Sequence, residues 1–137
     1  MNKKFTLYTL TNRKTEKFTL TPLELKEYIN FEVKRVYFLS EVTHDTGEHC
    51  HLEEEELFIM IQGSCTVSID KGNGKEDVQM VGGETAIYVP SYVWHGFKNL
   101  SKDAVIFALS STNYRPDRSD YIEDYDAYLK IRDEKLQ

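Results

Sequence analysis

The sequence predicts an all-β fold, two antiparallel sheets packed face to face as a sandwich or jelly roll, with one short helix at the C-terminus. Three observations predict it. Short segments rich in β-branched and aromatic residues recur along the chain, turn-forming residues separate them, and helical periodicity is convincing in one place only. In chain order the expected strands are 4–10 (KFTLYTL), 16–20, 33–40 (VKRVYFLS), 48–52, 56–61 (ELFIMI), 64–70 (SCTVSID), 76–81, 85–89 (TAIYV), 94–98 and 103–110 (DAVIFALS). Several alternate polar and apolar residues with period two, as half-buried strands do. KGNGK at 71–75 is a hairpin signal, because Asn and Gly accept the positive φ of tight turns, and Gly82-Gly83 and Pro90-Ser91 are further breaks. A weaker helical turn is expected at 22–28, after Thr21 and Pro22. At 120–135 (DYIEDYDAYLKIRDEK), Tyr121, Ile122, Tyr125, Tyr128 and Leu129 share one helical face, so the helix is expected there.

Composition bounds the rest. At 137 residues the chain reads as one domain over 1–137, since compact domains cluster near that size and no stretch has linker character. No apolar run approaches the roughly 18 residues of a membrane helix, and the start MNKKFTLYTL alternates rather than forming a continuous apolar signal segment. A cytoplasmic protein with no membrane partner is expected. Seventeen basic against 23 acidic residues give a net charge of −6, which argues against nucleic acid but leaves room for one phosphorylated small molecule in a local basic pocket. Cys50 and Cys65 are too few for a disulfide framework and read as reduced thiols. Cys50 between two histidines is a candidate nucleophile, outweighed by its reading as a small buried residue on the other strand face.

Three of the four histidines fall in two spaced motifs. In a strand, residues i and i+2 share a face, so His49 and His51 project together while Cys50 faces away. The chain continues to Glu56 and Gly63 as HxH-x4-E-x6-G, and later gives Pro90, His95 and Asn99 as P-x4-H-x3-N. Glu53 and Glu54 read as a solvated acidic turn, His44 as a surface loop residue and Trp94 as packing.

These motifs resemble those of the cupin superfamily, small jelly-roll barrels that build one site from both. In metal-binding cupins the matching ligands would be His49, His51, Glu56 and His95, a shell suited to iron, manganese, nickel or zinc. Tyr92 and Thr43 stand where those motifs usually have glycine. A narrower resemblance rests on VKRVYF at 33–38, GEHCH at 47–51, LFIMIQGSCTVSIDKGNG at 57–74, AIYVPSYVWHGFKNLSKDAVIFALSSTNY at 86–114 and DYIEDYDAYL at 120–129. These segments are similar to the dTDP-4-keto-6-deoxyglucose 3,4-ketoisomerases of the WxcM-like group.

That resemblance implies a jelly-roll homodimer, often with exchanged N-terminal strands, which moves a ketone from C4 to C3 of a dTDP-linked sugar without metal or other cofactor. It implies His51 as the base for the C3 proton, His49 as its neighbour and Tyr37 as a site hydroxyl, with His95 at the matching VWH position. Removing a proton beside a ketone yields an enediolate, so the chemistry needs a base near neutral pKa and donors near the oxygen. Arg35 and Lys98 are expected to meet phosphate or carbonyl oxygens, Arg35 from the strand face opposite Tyr37, as a surface charge or a rim contact. Tyr114, Arg115 and Tyr121 could line a nucleotide pocket, although a tyrosine-rich C-terminal helix more often packs on the sandwich. Thr46, Leu52 and Glu56 stand where the family usually has arginine, lysine and glutamine. The lost cations and the carboxylate keep two alternatives open, a metal-dependent cupin enzyme and a non-catalytic sugar-nucleotide-binding module.

Overall fold

The computed structural model describes residues 4–136. Its strands are β1 (Thr6–Thr9), β2 (Arg13–Lys14), β3 (Thr19–Leu20), β4 (Arg35–Leu39), β5 (Thr46–His51), β6 (Glu56–Gln62), β7 (Ser64–Asp70), β8 (Lys75–Val81), β9 (Thr85–Val89), β10 (Trp94–Lys98), β11 (Val105–Ser110) and β12 (Tyr121–Ile122). A 3-10 turn at Leu25–Glu27 and the helix α1 (Tyr125–Leu136) complete the described elements. Two five-stranded antiparallel sheets carry the fold, ordered β1-β9-β6-β11-β4 and β12-β5-β10-β7-β8, and β2-β3 is a small separate hairpin. The segment expected as one strand over 16–20 is therefore the second arm of that exposed hairpin.

Strand alternation decides what fills the sandwich. Phe58 and Met60 of one sheet meet Cys65, Val67, Ile69 and Phe97 of the other, and all are buried. Burying a side chain of that size contributes roughly 1.5–3 kcal/mol, so this interior dominates the stability of the fold. The intervening residues Leu57, Ile59, Tyr88 and Leu109 face outward and are covered by Leu10, Tyr28 and Ile29 of the N-terminal segment.

The second sheet is covered by α1, whose Tyr125, Tyr128 and Leu129 pack with Cys50 and Trp94 as the periodicity predicts. The helix begins later than expected. Asp124 caps it, its carboxylate accepting from the Ala127 N–H at 3.0 Å. Asp120 instead ends a turn, and Tyr121 and Ile122 are extended, with Tyr121 opposite His51 and Ile122 opposite Cys50 as a short edge pairing on β5. The local helical pattern loses to that tertiary pairing and to the burial of Asp120, which is 5% exposed.

Candidate active site

β5 and β10 bring the three histidines together. In their antiparallel register His95 lies opposite His49 and Gly96 opposite Gly47, with an irregularity between them. A Cβ on Gly96 would stand 2.8 Å from both Thr46 O and Glu48 Cγ, so glycine lets the strands approach there. The ring centroids of His49 and His51, and those of His49 and His95, are 4.8 Å apart. Cys50 faces the other way, against Trp94 and Tyr128. Burial pushes its thiol up to about 12 and that of Cys65 up to about 11, so neither is poised as a nucleophile.

The histidines open on a cavity of about 180 Å³, walled also by Tyr37, Leu39, Thr46, Glu56, Phe58, Phe97 and Tyr121. Tyr37 reaches it because β4 pairs with β11, and its hydroxyl donates to Glu56. Tyr121 lies against His51 at 4.6 Å and His49 at 5.1 Å between centroids. It is a wall of the site rather than part of a helix packed on the sandwich.

His51 is held from several sides. Its Nδ1 is 3.0 Å from an oxygen of Asp120, whose carboxylate also accepts from the backbone N–H of Glu53 at 2.7 Å and Glu54 at 3.3 Å. Its Nε2 is 3.3 Å from Glu54, 3.3 Å from Glu56 and 3.2 Å from His49 Nε2. Burial opposes charge on His51, but hydrogen bonding to Glu56 and the carboxylates of Glu56, Glu54 and Asp120 outweigh it, so His51 titrates above the ordinary histidine range. His49 has no such support. Burial first, then the neighbouring histidines, push it down to about 2, which leaves it neutral. His95 is also shifted down, chiefly by burial, and its Nδ1 donates to Val93 O at 2.9 Å. Adjacent imidazoles thus play unlike parts, one anchored and made more basic by carboxylates, two held neutral by burial.

Several sequence expectations change here. Glu54 is buried rather than solvated, accepting from Ser110 Oγ at 2.6 Å and Thr112 Oγ1 at 2.9 Å, while Glu53 is exposed and pairs with Arg115 as a solvated acidic turn would. Arg35 lies on the same face of β4 as Tyr37, two residues away, with its guanidinium carbon 4.8 Å from the Tyr37 ring centre. Lys98 does not join the site; three residues past His95 on β10 its side chain leaves the interior and pairs with Asp77 at 3.1 Å. His44 is an exposed loop residue and Trp94 is packing, as expected. Asp120 is the residue that sequence reasoning missed. Its only signal is an acidic residue ahead of the YI pair, and a helical reading of 120–135 hides it.

Two overlapping sets of donors are close enough to share a metal ion, His49 with His51 and His95, and His51 with Glu54 and Glu56, the ligand atoms of each set within 4.8 Å. Imidazole and carboxylate donors of this kind suit a divalent transition metal, and Asp120 on His51 Nδ1 and Val93 O on His95 Nδ1 would fix the ring orientations. The same polar cluster, beside a cavity that admits a small ring, is equally built to move a proton. Among the described residues no helix is long and apolar enough to cross a membrane.

Comparison with known proteins places the chain. Residues 3–133 match the family described as WxcM-like, C-terminal (FdtA). A TDP-4-oxo-6-deoxy-alpha-D-glucose-3,4-oxoisomerase from Aneurinibacillus thermoaerophilus is 32% identical over 114 residues, 82% of this chain and 81% of that protein. Among solved structures, a 3,4-ketoisomerase from Helicobacter canadensis superposes with a TM-score of 0.84 at 27% identity, covering 96% of this chain and 99% of that one. A double mutant of the QdtA 3,4-ketoisomerase from Thermoanaerobacterium thermosaccharolyticum, in complex with TDP, gives a TM-score of 0.86 at 25% identity, with 98% of both chains covered. The two facing antiparallel sheets of this chain are thus those of a cupin-type jelly roll, and the chain belongs to the WxcM-like, C-terminal (FdtA) family.

Proposed function

We propose that this protein is a sugar-nucleotide 3,4-ketoisomerase that converts dTDP-4-keto-6-deoxyglucose to a dTDP-3-keto-6-deoxyhexose. The observation that carries the reading is a buried histidine, His51, anchored by Asp120 through Nδ1, with its Nε2 at a small cavity that Tyr37, His49 and His95 also wall. The kinship with named 3,4-ketoisomerases supports it. In this reading neutral His51 Nε2 takes the C3 proton of the sugar, and the C3–C4 enediolate forms. The imidazolium exchanges its proton with solvent, and the same group delivers a proton at C4. The second proton moves between oxygens, from the C3 hydroxyl to the former C4 carbonyl oxygen, so the product is the isomeric ketone and no electron acceptor is consumed. Tyr37 stays protonated, since burial and the Glu56 carboxylate hold its pKa far above the ordinary tyrosine range, and its hydroxyl turns from Glu56 to donate to the oxyanion as that charge develops.

The same reading makes the protein a cytoplasmic homodimer that exchanges its N-terminal strands. Val36 and Phe38, 55% and 65% exposed on the outer face of β4, support a covering partner there. The direct test is incubation with dTDP-4-keto-6-deoxyglucose in deuterated buffer, where deuterium is expected at C3 of recovered substrate and at C4 of product. No exchange by the wild-type protein sinks the proposal.

A second reading, a metal-dependent cupin enzyme, is favoured by the two donor sets around His51. Metal analysis of purified protein separates the two. The isomerase reading predicts activity that survives chelation, whereas a stoichiometric metal lost on Glu56→Gln, together with activity lost on chelation, would establish the other.

A further inference from the structure

The residues that wall the cavity include no lysine or arginine, yet the proposed substrate brings a diphosphate. Its charge has to be met at the rim. Two guanidinium groups stand there, each laid over one of the tyrosines that form the cavity wall. Arg35 lies 4.8 Å from the centre of the Tyr37 ring, and Arg118 lies 4.0 Å from the centre of the Tyr121 ring. Both groups also meet Tyr114, Arg35 at 5.6 Å from its ring centre and Arg118 through a side-chain hydrogen bond, so they stand on one side of the opening.

Neither group is used up by its partners. Arg35 meets Glu54 through one NH2 at 3.4 Å, while its Nε is buried with no hydrogen-bond partner. A buried donor without a partner is unfavourable, and an incoming acceptor would relieve that. Arg118 is half exposed, and its partners, the Glu123 carboxylate at 2.6 Å and the Tyr114 hydroxyl, are exposed side chains that an incoming phosphate can displace. The other nearby cations are engaged elsewhere, Arg115 with Glu53 and Lys98 with Asp77.

We infer that Arg118 and Arg35 form a clamp for the substrate diphosphate, with Tyr121 between that clamp and the histidines. Stacking on an aromatic ring holds a guanidinium fork in place before the anion arrives, and the fork matches phosphate oxygens in pairs. Arg118 is the new assignment. It is a binding residue that leaves proton transfer to His51, and it sets the distance between the phosphates and the sugar ring. The inference rests on the ketoisomerase reading, whose substrate supplies the diphosphate.

The test compares dTDP and thymidine as ligands. Arg118 has a positive φ of 56°, a conformation asparagine tolerates, so Arg118→Asn removes the guanidinium with little backbone strain. Titration calorimetry is expected to show dTDP binding weakened by about 10- to 100-fold in this variant, the loss of a charge-assisted contact, with thymidine affinity unchanged. Adding Thr46→Arg, which places a cation on the cavity wall, should recover most of the lost dTDP affinity. Wild-type affinity for dTDP in Arg118→Asn overturns the clamp while leaving the isomerase reading intact, and so does an equal loss for thymidine. Failure of the wild-type protein to bind dTDP at all overturns both.

Discussion

His51→Asn should abolish deuterium incorporation at C3 of dTDP-4-keto-6-deoxyglucose, a loss of about 10²- to 10⁴-fold or down to background, because it removes the group that accepts the proton. The companion variant His49→Asn should lose much less. Burial and its histidine neighbours push His49 down to about 2, so its conjugate acid is too strong for His49 to serve as the base at neutral pH. The pair separates the two roles. Exchange at the wild-type rate in His51→Asn with its loss in His49→Asn would reverse the assignment. The His51 variant also leaves Glu54, Glu56 and Asp120, all buried, without the imidazole they share, so circular dichroism should accompany the assay to show that the sandwich persists.

How much of this was legible in the sequence depends on the range of each interaction. His49, His51 and Cys50 were placed on opposite strand faces by the period of two alone, a property of adjacent residues. The apposition of His95 with His49 follows from a long-range strand register, which no local pattern encodes and which the motif resemblance supplied. The same strand period puts Arg35 beside Tyr37, against the expectation that it faced away, so that error lay in the reading and not in the chain. Glu54 and Asp120 were misjudged for a physical reason. A run of four glutamates and an acidic residue in an amphipathic segment both look solvated until tertiary partners are known. Only the fold shows that Ser110 and Thr112 satisfy Glu54, and that two backbone N–H groups and His51 satisfy Asp120. Buried charges are set by such distant donors, and composition cannot show them.

Asp120→Asn tests the anchoring of His51 most sharply. In the wild-type protein one carboxylate oxygen accepts from the Glu53 N–H at 2.7 Å, and the other accepts from His51 Nδ1 at 3.0 Å and, at the longer distance of 3.3 Å, from the Glu54 N–H. An asparagine would keep its carbonyl on the Glu53 N–H and turn its NH2 toward Nδ1. Because an NH2 can only donate, neutral His51 would then carry its proton on Nε2, and the lone pair needed for C3 would be gone. The expected loss in kcat is about 10²- to 10⁴-fold, the range a misplaced general base accounts for, with KM little changed since Asp120 does not wall the cavity. The pH dependence moves as well. His51 is active when neutral, so the rate rises with pH through its raised folded-state pKa, and removing a carboxylate that raises it shifts the acid limb to lower pH. The stability that His51 draws from this cluster is fully present below the unfolded histidine pKa of about 6.5 and fades as pH rises through the folded value. The gap in unfolding free energy between wild type and variant that comes from His51 should therefore be widest in acid and close towards alkaline pH. Nitrogen-15 spectra of His51 give the readout that a merely structural role would not move. At alkaline pH the proton is expected on Nδ1 in the wild type and on Nε2 in the variant, and an unchanged tautomer alongside a lost rate would remove Asp120 from its positioning role.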